Sequence, residues 1–163
     1  MSTSPVLIAY FSHSGNTGVV ANHIQATLGG DLFRIATIDP YPGDYDAVVD
    51  VAGKEQKRGD RPRLAGKVAG VGSYDVVFLG YPNWWSTMPM AVFSFLEGHD
   101  LSGKKIAPFC THEGSGLGRS VRDLKGACPR SVVLDGLAVR GGSVRSAQKD
   151  VLSWLERIGL RGR

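Results

Sequence analysis

The feature that most constrains the fold is a polar loop that follows an apolar run near the start of the chain. Residues 6–11 are apolar, residues 12–17 read S-H-S-G-N-T, and a helical pattern begins directly afterwards. A buried strand that passes through such a loop into a helix presents unpaired N–H groups and the positive end of the helix dipole to an anion. The sequence therefore predicts a phosphate-holding strand–loop–helix unit, although an ordinary N-capped turn would use the same residue types.

The composition of this loop favours a single phosphate. Gly15 lets the backbone approach an anion closely, and the side chains of Ser12, Ser14, Asn16 and Thr17 can donate hydrogen bonds. The loop contains no lysine, and the chain has neither G-x-x-x-x-G-K-[ST] nor G-x-G-x-x-G. We therefore expect a monophosphate held by neutral donors rather than a triphosphate with its magnesium.

Apolar runs alternate with helical patterns along the whole chain. The predicted strands cover residues 6–11, 32–36, 76–80, 106–110 and 132–139, the last of them bent at Gly136. The predicted helices follow residue 17, cover about residues 45–57, begin near Pro89, cover about residues 118–125, and begin at a Ser143 cap. This alternation predicts a parallel sheet with helices on both faces, in a single domain over residues 1–163.

The charge of the chain is concentrated in one segment. Residues 54–67 hold six basic and two acidic side chains, an excess that equals the formal charge of +4 for all 163 residues. The segment has no aromatic residue to stack on bases, so nucleic-acid binding is not predicted. A solvated loop and a docking surface for an acidic partner or an anionic substrate both remain open.

The remaining composition argues against several classes of protein. No apolar run approaches the length of a membrane span, and residues 1–5 hold no basic side chain of the kind that begins a secretory signal. Cys110 and Cys128 lack CxxC spacing, and the four histidines lack metal-ligand spacing, so no metal site is predicted. Cys110 and His112 do not form a phosphatase loop, because Gly116 stands where that motif needs arginine. We expect a cytoplasmic protein with reduced thiols.

Two more loops stand where predicted strands end. Residues 81–87 contain the adjacent tryptophans Trp84 and Trp85, and residues 111–116 are rich in glycine. In a doubly wound sheet these loops and residues 12–17 meet beyond the carboxyl ends of the strands. Because adjacent side chains rarely face the same way, we expect at most one indole to stack on a flat ligand. Burial of both in the core or in a dimer contact is the alternative.

These loops resemble those of flavodoxins. Residues 12–17 are similar to the S-x-T-G-N-T phosphate loop of that family, with Ser14 in place of the usual threonine. Residues 80–90 and 108–116 resemble the flavodoxin-like subgroup that carries a tryptophan pair, and the similarity covers nearly the whole chain. The resemblance implies a doubly wound five-stranded α/β fold with strand order 2-1-3-4-5, and bound flavin mononucleotide (FMN).

The resemblance also implies roles for individual residues, none of them catalytic. The phosphate would be held by Ser12, His13, Ser14, Gly15, Asn16 and Thr17. The isoalloxazine would be flanked by Pro82, Asn83, Trp84 and Trp85, and its pyrimidine side would meet Thr111, His112, Glu113, Gly114, Ser115 and Gly116. Two features depart from the family: flavodoxins that carry electrons are acidic, and the third loop holds the ionisable side chains of His112 and Glu113.

Three functions remain open at this point. The chain could be an FMN-dependent oxidoreductase linked to NAD(P)H or a reductase and acting on a quinone-like acceptor, a one-electron carrier, or a non-catalytic flavin-binding module. Flavodoxins stabilise one-electron-reduced flavin through a second-loop peptide that turns, usually at a glycine, and residues 82–85 contain none. This favours two-electron chemistry. The expected partner is a redox protein or a small-molecule acceptor, and a homodimer remains open.

Overall fold

Six parallel strands form one sheet in the computed structural model, which describes residues 5–160. The strands are β1 (Val6–Tyr10), β2 (Asp31–Arg34), β3 (Val76–Pro82), β4 (Lys105–His112), β5 (Val132–Val133) and β6 (Leu137–Arg140). Their order is β2-β1-β3-β4-β5, and β6 also pairs with β4. The predicted order and the predicted flavodoxin-like α/β fold are therefore confirmed. Most of the N-terminal segment considered for a secretory signal, residues 1–4, lies outside the described residues.

Residues 5–160 form five α-helices. They are α1 (Asn16–Leu28), α2 (Tyr45–Arg58), α3 (Met90–Glu97), α4 (Ser120–Ala127) and α5 (Gln148–Arg157), with short 3₁₀ helices at Val71–Ser73 and Gly141–Ser146. Within residues 5–160, none of them is both long and apolar enough to cross a bilayer.

The alternation of side chains along β1 produces two apolar cores. Leu7 and Ala9 face α3 and α4 on one side of the sheet, whereas Ile8 faces α1 and α5 on the other. Both cores are continuous with the central strands, whose side chains are buried on both faces. The helices therefore leave the carboxyl ends of the strands as the edge where polar loops gather.

The last strand is interrupted where a bend was predicted. β5 pairs with Lys105 and Ile106, and β6 resumes the pairing further along β4, from Phe109 to His112. Gly136 lies in the interruption, where a Cβ atom would come within 3.3 Å of the Leu117 and Val121 side chains. The close approach of α4 to the bend therefore explains the glycine.

Some predicted boundaries were wrong. The ladder between β3 and β4 continues to the pair Pro82–Thr111, so Pro82, Thr111 and His112 belong to strands rather than to loops. Ser143 does not cap the last α-helix, because a 3₁₀ helix precedes α5 there and makes no side-chain cap. An antiparallel bridge between Leu64 and Thr37 was not predicted at all. Such a long-range pair leaves no local pattern in the sequence.

Candidate functional site

The three polar loops meet at a cavity of about 520 Å³ beyond the carboxyl ends of β1, β3 and β4. Most of the predicted site residues line it: His13, Ser14, Asn16, Pro82, Asn83, Trp84, Trp85, Thr111, His112, Glu113 and Ser115. The structure thus brings residues from all three loops to one cavity. The other predicted residues, Ser12, Gly15, Thr17, Gly114 and Gly116, do not line its wall.

The first loop leaves backbone donors free. Gly15 has a φ of 98°, and the Ser12 hydroxyl accepts hydrogen bonds from the N–H groups of Gly15 (3.1 Å) and Gly18 (3.3 Å). The N–H groups of Ser14, Asn16 and Thr17 have no hydrogen-bond partner among residues 5–160. Free N–H groups at a helix N-terminus form an anion site. The geometry fits the predicted phosphate loop.

Two of the predicted phosphate ligands make contacts inside the protein. The Thr17 hydroxyl lies 2.8 Å from the Thr111 hydroxyl, and the Thr17 side chain is only 1% exposed. Ser12 is buried as well, with its oxygen turned to the loop backbone. Both residues therefore shape the loop from behind, and their direct contact with a phosphate stays a prediction.

The second loop makes a tight hairpin with unusual residues at its tip. Trp84 and Thr87 exchange backbone hydrogen bonds of 2.9 and 3.3 Å, and the two residues between them, Trp85 and Ser86, have φ values of 54° and 73°. Positive φ at both central positions is the pattern of a type I′ turn, which normally uses Asn or Gly. Each non-glycine residue there costs about 1–2 kcal/mol.

The surrounding chain holds this hairpin in place. The side-chain carbonyl oxygen of Asn83 accepts a hydrogen bond from the Ser86 N–H at 3.0 Å. The Ser86 backbone carbonyl accepts one from the Arg119 N–H at 2.7 Å. The Asn83 side-chain amide also donates to the Gly116 carbonyl at 2.8 Å. These bonds fix the second loop against the third.

The two tryptophans point to different partners. Trp84 is half-buried and makes edge contacts with Phe11 and Tyr41, at centroid distances of 5.3 and 5.1 Å. Trp85 is 52% exposed, donates from Nε1 to the Val49 carbonyl at 2.9 Å, and lies over Gly53, where a Cβ would approach the indole to 3.1 Å. Both rings line the cavity, one from the core side and one from α2.

A tyrosine–glutamate pair supports the core-side ring. The Tyr41 hydroxyl donates to a Glu55 carboxylate oxygen at 2.6 Å. Burial, followed by the bond to Glu55, raises the pKa of Tyr41, and burial also raises the pKa of Glu55. Tyr41 therefore keeps its proton at neutral pH and stays a fixed neighbour of Trp84.

The third loop is braced by one of its own side chains and by one from outside it. His112 Nδ1 accepts from the Gly114 N–H at 2.9 Å, and Arg140 donates to the Glu113 carbonyl at 3.3 Å. A Cβ on Gly141 would lie 2.5 Å from a Glu113 carboxylate oxygen and 2.7 Å from the Asn16 amide nitrogen. Gly141 thus allows the first and third loops to approach each other.

Cys110 does not suit nucleophilic chemistry. It is fully buried in β4, and burial raises the pKa of its thiol to about 12. The reactive form of cysteine is the thiolate, which such a site suppresses near neutral pH. Cys110 instead packs in the core.

Sequence reasoning missed the wall of the cavity that α2 supplies. Tyr45, Val48, Val49 and Ala52 line it from one face of this helix. Their spacing is that of any amphipathic helix, so no signal marked them, although Gly53 in the middle of the helix gave a hint of close contact. Arg34 was missed as well; it donates to the Ser12 carbonyl at 3.3 Å and brings a positive charge to the first loop.

Part of the positive charge of residues 54–67 is neutralised by nearby carboxylates. Arg61 pairs with Glu97 at 2.6 Å and lies over the Phe93 ring, and Lys54 pairs with Asp50 at 3.0 Å. Arg61 also borders a separate cavity of about 430 Å³ formed by residues 61–67 and 94–99, whose lining contains no loop from the strand ends.

The chain is similar to flavodoxins and related flavoproteins. A family model described as flavodoxin matches residues 5–158. A candidate flavoprotein from Bacteroides eggerthii has 36% identity and a TM-score of 0.85, over 98% of this chain and 100% of that chain. A second candidate flavoprotein, from Bacteroides uniformis, has 25% identity and a TM-score of 0.77, over 91% and 99%.

A more distant structure holds a cofactor. The flavoprotein from Lactobacillus acidophilus in complex with FMN has 22% identity and a TM-score of 0.73, over 90% of this chain and 99% of that chain. At this identity the likeness concerns the fold. A search of curated proteins found no match.

Proposed function

This chain belongs to the flavodoxin family, and from that premise we propose that it is an FMN-dependent oxidoreductase that delivers two electrons to a quinone-like acceptor. The observation that carries the proposal is the convergence of a phosphate loop, an aromatic pair and a glycine-rich loop on one cavity. When bound, FMN supplies a ring that takes up and releases electrons singly or in pairs.

The cofactor is FMN, and the first loop fits its phosphate. The free N–H groups of Ser14, Asn16 and Thr17 lie at the start of α1, and Arg34 adds positive charge behind them. A phosphate dianion gains strong, charge-assisted hydrogen bonds from such donors. The chain has no G-x-G-x-x-G motif for a pyrophosphate, which favours FMN over FAD.

Removing the hydroxyl that organises this loop should weaken FMN selectively. We expect Ser12→Ala to lower FMN affinity about tenfold, because the Gly15 and Gly18 N–H groups lose their acceptor and the loop loosens. Thr17→Ala should act similarly through the lost Thr111 contact. Riboflavin, which lacks the phosphate, serves as the control ligand in fluorescence titrations. An equal loss of FMN and riboflavin in both variants would show that the loop does not hold the phosphate.

The aromatic rings should contact the isoalloxazine. We expect flavin emission to be strongly quenched in the holoprotein and partly restored by Trp85→Ala or Trp84→Ala. The half-exposed Trp85 ring is the more accessible of the two, whereas Trp84 is packed against Phe11 and Tyr41. Steady-state and time-resolved flavin fluorescence measures the change. Unchanged emission in both variants would mean that neither indole contacts the cofactor.

The α2 wall supports a flat, apolar acceptor. Val48 and Ala52 are apolar, and Tyr45 is 74% exposed at the same wall. A quinone presents an aromatic-like face and two carbonyl oxygens, which suits an apolar wall with few polar groups. Steady turnover of NAD(P)H with a quinone by the purified holoprotein tests this. Bound FMN without any such turnover would argue against the reductase.

The one-electron carrier remains the second candidate because family membership supports it equally. It predicts a large, stable one-electron-reduced flavin band and no quinone turnover. A non-catalytic flavin-binding module predicts neither. The visible spectrum during anaerobic reduction identifies the carrier, and quinone turnover separates the reductase from the module.

The same proposal includes the cellular setting. We propose a cytoplasmic protein with a redox protein or small-molecule acceptor as its partner, without nucleic-acid or membrane binding, and with a homodimer as an open alternative. The cysteines Cys110 and Cys128 support a reducing compartment, because both are free thiols buried in the fold.

A further inference from the structure

The two histidines at the cavity both carry the proton on Nε2, and they differ in whether that N–H is used within the protein. His13 Nε2 lies 2.8 Å from the Pro42 carbonyl, which only accepts, so Nε2 carries the proton. His112 Nδ1 lies 2.9 Å from the Gly114 nitrogen, whose N–H only donates, so the neutral His112 ring carries its proton on Nε2. His13 therefore uses its N–H within the protein, whereas the Nε2–H of His112 has no partner among the described residues.

His112 is rigidly placed at the cavity wall. It is the last residue of β4, and the ring is held from behind by the Gly114 bond. Its neighbour Thr111 is fixed twice, through its hydroxyl to Thr17 at 2.8 Å and through its carbonyl to the Asn83 N–H at 2.8 Å. A side chain held in this way presents its remaining donor in a defined position.

We propose that His112 is a neutral hydrogen-bond donor to a ring carbonyl oxygen that gains negative charge during reduction. This inference rests on the proposed function and assigns a task to a side chain that departs from the family pattern. The Nδ1 atom is already engaged as the acceptor of the Gly114 N–H, so the donor left for a ligand is the Nε2–H. A neutral imidazole can stabilise developing oxyanion charge through one N–H.

The proton balance of the reaction leaves His112 unchanged. The acceptor takes two electrons and one proton from the reduced cofactor, and its second proton comes from solvent. The Nε2–H bond does not break; it shortens its contact with the oxygen as negative charge grows there. The oxygen belongs either to the flavin ring or to the quinone-like acceptor, and these two sources are distinguishable.

Two substitutions separate the donor from the loop contact. His112→Asn keeps an oxygen near the position of Nδ1 that accepts from Gly114 and removes the Nε2 donor. His112→Gln places an amide N–H near the position of Nε2 and removes that acceptor. We expect His112→Asn to lower the stabilisation of the charged oxygen about tenfold, and His112→Gln to lower it markedly less. A purely structural role in holding Gly114 predicts the reverse order.

Two measurements identify the oxygen. If it belongs to the flavin, the midpoint potential of the two-electron couple falls in His112→Asn by ~30 mV, the equivalent of a tenfold change. If it belongs to the acceptor, the potential stays constant while kcat/KM for 1,4-benzoquinone falls about tenfold. The inference is wrong if neither quantity changes, or if His112→Gln is the more damaged variant.

The tautomer can be measured without any turnover. We expect ¹⁵N-edited imidazole spectra to show His112 protonated on Nε2. His99 is an internal reference of the opposite kind, since its Nδ1 donates to the Phe95 carbonyl and its Nε2 accepts from the Val68 N–H. A His112 ring protonated on Nδ1 would overturn the inference. Failure of the proposed function shows separately, as absence of quinone turnover in the parent protein, while the potential and the tautomer still test His112.

Discussion

Replacing Gly118 by alanine is expected to weaken FMN binding by about a hundredfold. A Cβ at this position would lie 2.3 Å from the Ser86 carbonyl oxygen and 3.1 Å from the Asn83 amide nitrogen, and Gly118 has a φ of +56°. Overpacking of a fixed contact costs about 1–3 kcal/mol, and the left-handed backbone adds about 1–2 kcal/mol for a residue with a side chain. The second loop must shift away to relieve the collision. Because FMN binding requires this loop in its original position, the energy of the collision is lost from the binding free energy.

Gly116→Ala is the matched control for this prediction. Gly116 also has a left-handed backbone, with a φ of +65°, but a Cβ there would meet no atom within 4 Å. We expect about a tenfold loss of affinity from the backbone alone. FMN titration measures both variants, and circular dichroism with denaturant unfolding of the apoproteins checks that both fold. Equal losses in the two variants would mean that the contact with Ser86 does not position the site.

The fold was predictable because its signals are local. The apolar runs of β1, β3 and β4 are buried on both faces, as continuous apolar strands of a parallel sheet should be. Gly136 marked the interruption between β5 and β6. The Leu64–Thr37 bridge was not predictable, since it joins two loops through backbone groups that any residue carries.

The location of the site was predictable for a geometric reason. The carboxyl ends of parallel strands meet at one edge, so polar loops after β1, β3 and β4 had to converge. What the sequence did not reveal is which polar groups are already used. The Thr17–Thr111 hydroxyl contact joins residues far apart in the chain, and it withdraws one predicted phosphate ligand from the cavity wall. A residue type indicates what a side chain can bind, and only the fold determines which of its donors and acceptors remain free.

Anaerobic reduction of the holoprotein is expected to pass from oxidised to fully reduced flavin with little one-electron-reduced form. In the flavodoxins that the chain resembles, a second-loop peptide turns to accept a hydrogen bond from flavin N5. Here the carbonyls around the tip of the hairpin are engaged: those of Trp84, Trp85 and Ser86 accept from the Thr87 N–H, the Gln56 amide and the Arg119 N–H. Turning a peptide gives up at least one bond, about 1 kcal/mol.

The hairpin also has no glycine at which a peptide could turn freely. Trp85 and Ser86 hold φ values of 54° and 73°, and a turned peptide needs other backbone angles that residues with a side chain adopt only at a cost. A combined cost of ~1.4 kcal/mol would reduce the one-electron form tenfold, or ~59 mV for a one-electron couple. The formal charge of +4 acts in the same direction, because an anionic, fully reduced flavin is less disfavoured than beside an acidic surface.

Two variants test whether the hairpin limits the one-electron form. Ser86→Gly removes the side chain that restricts the backbone angles open to a turned peptide, and Gln56→Leu frees the Trp85 carbonyl while leaving the loop sequence intact. Each should raise the maximum one-electron-reduced fraction several-fold in a dithionite titration followed by visible absorption. A large, stable one-electron band in the parent protein would instead place it among the electron carriers, since a hairpin held by these contacts would then have to turn at no measurable cost.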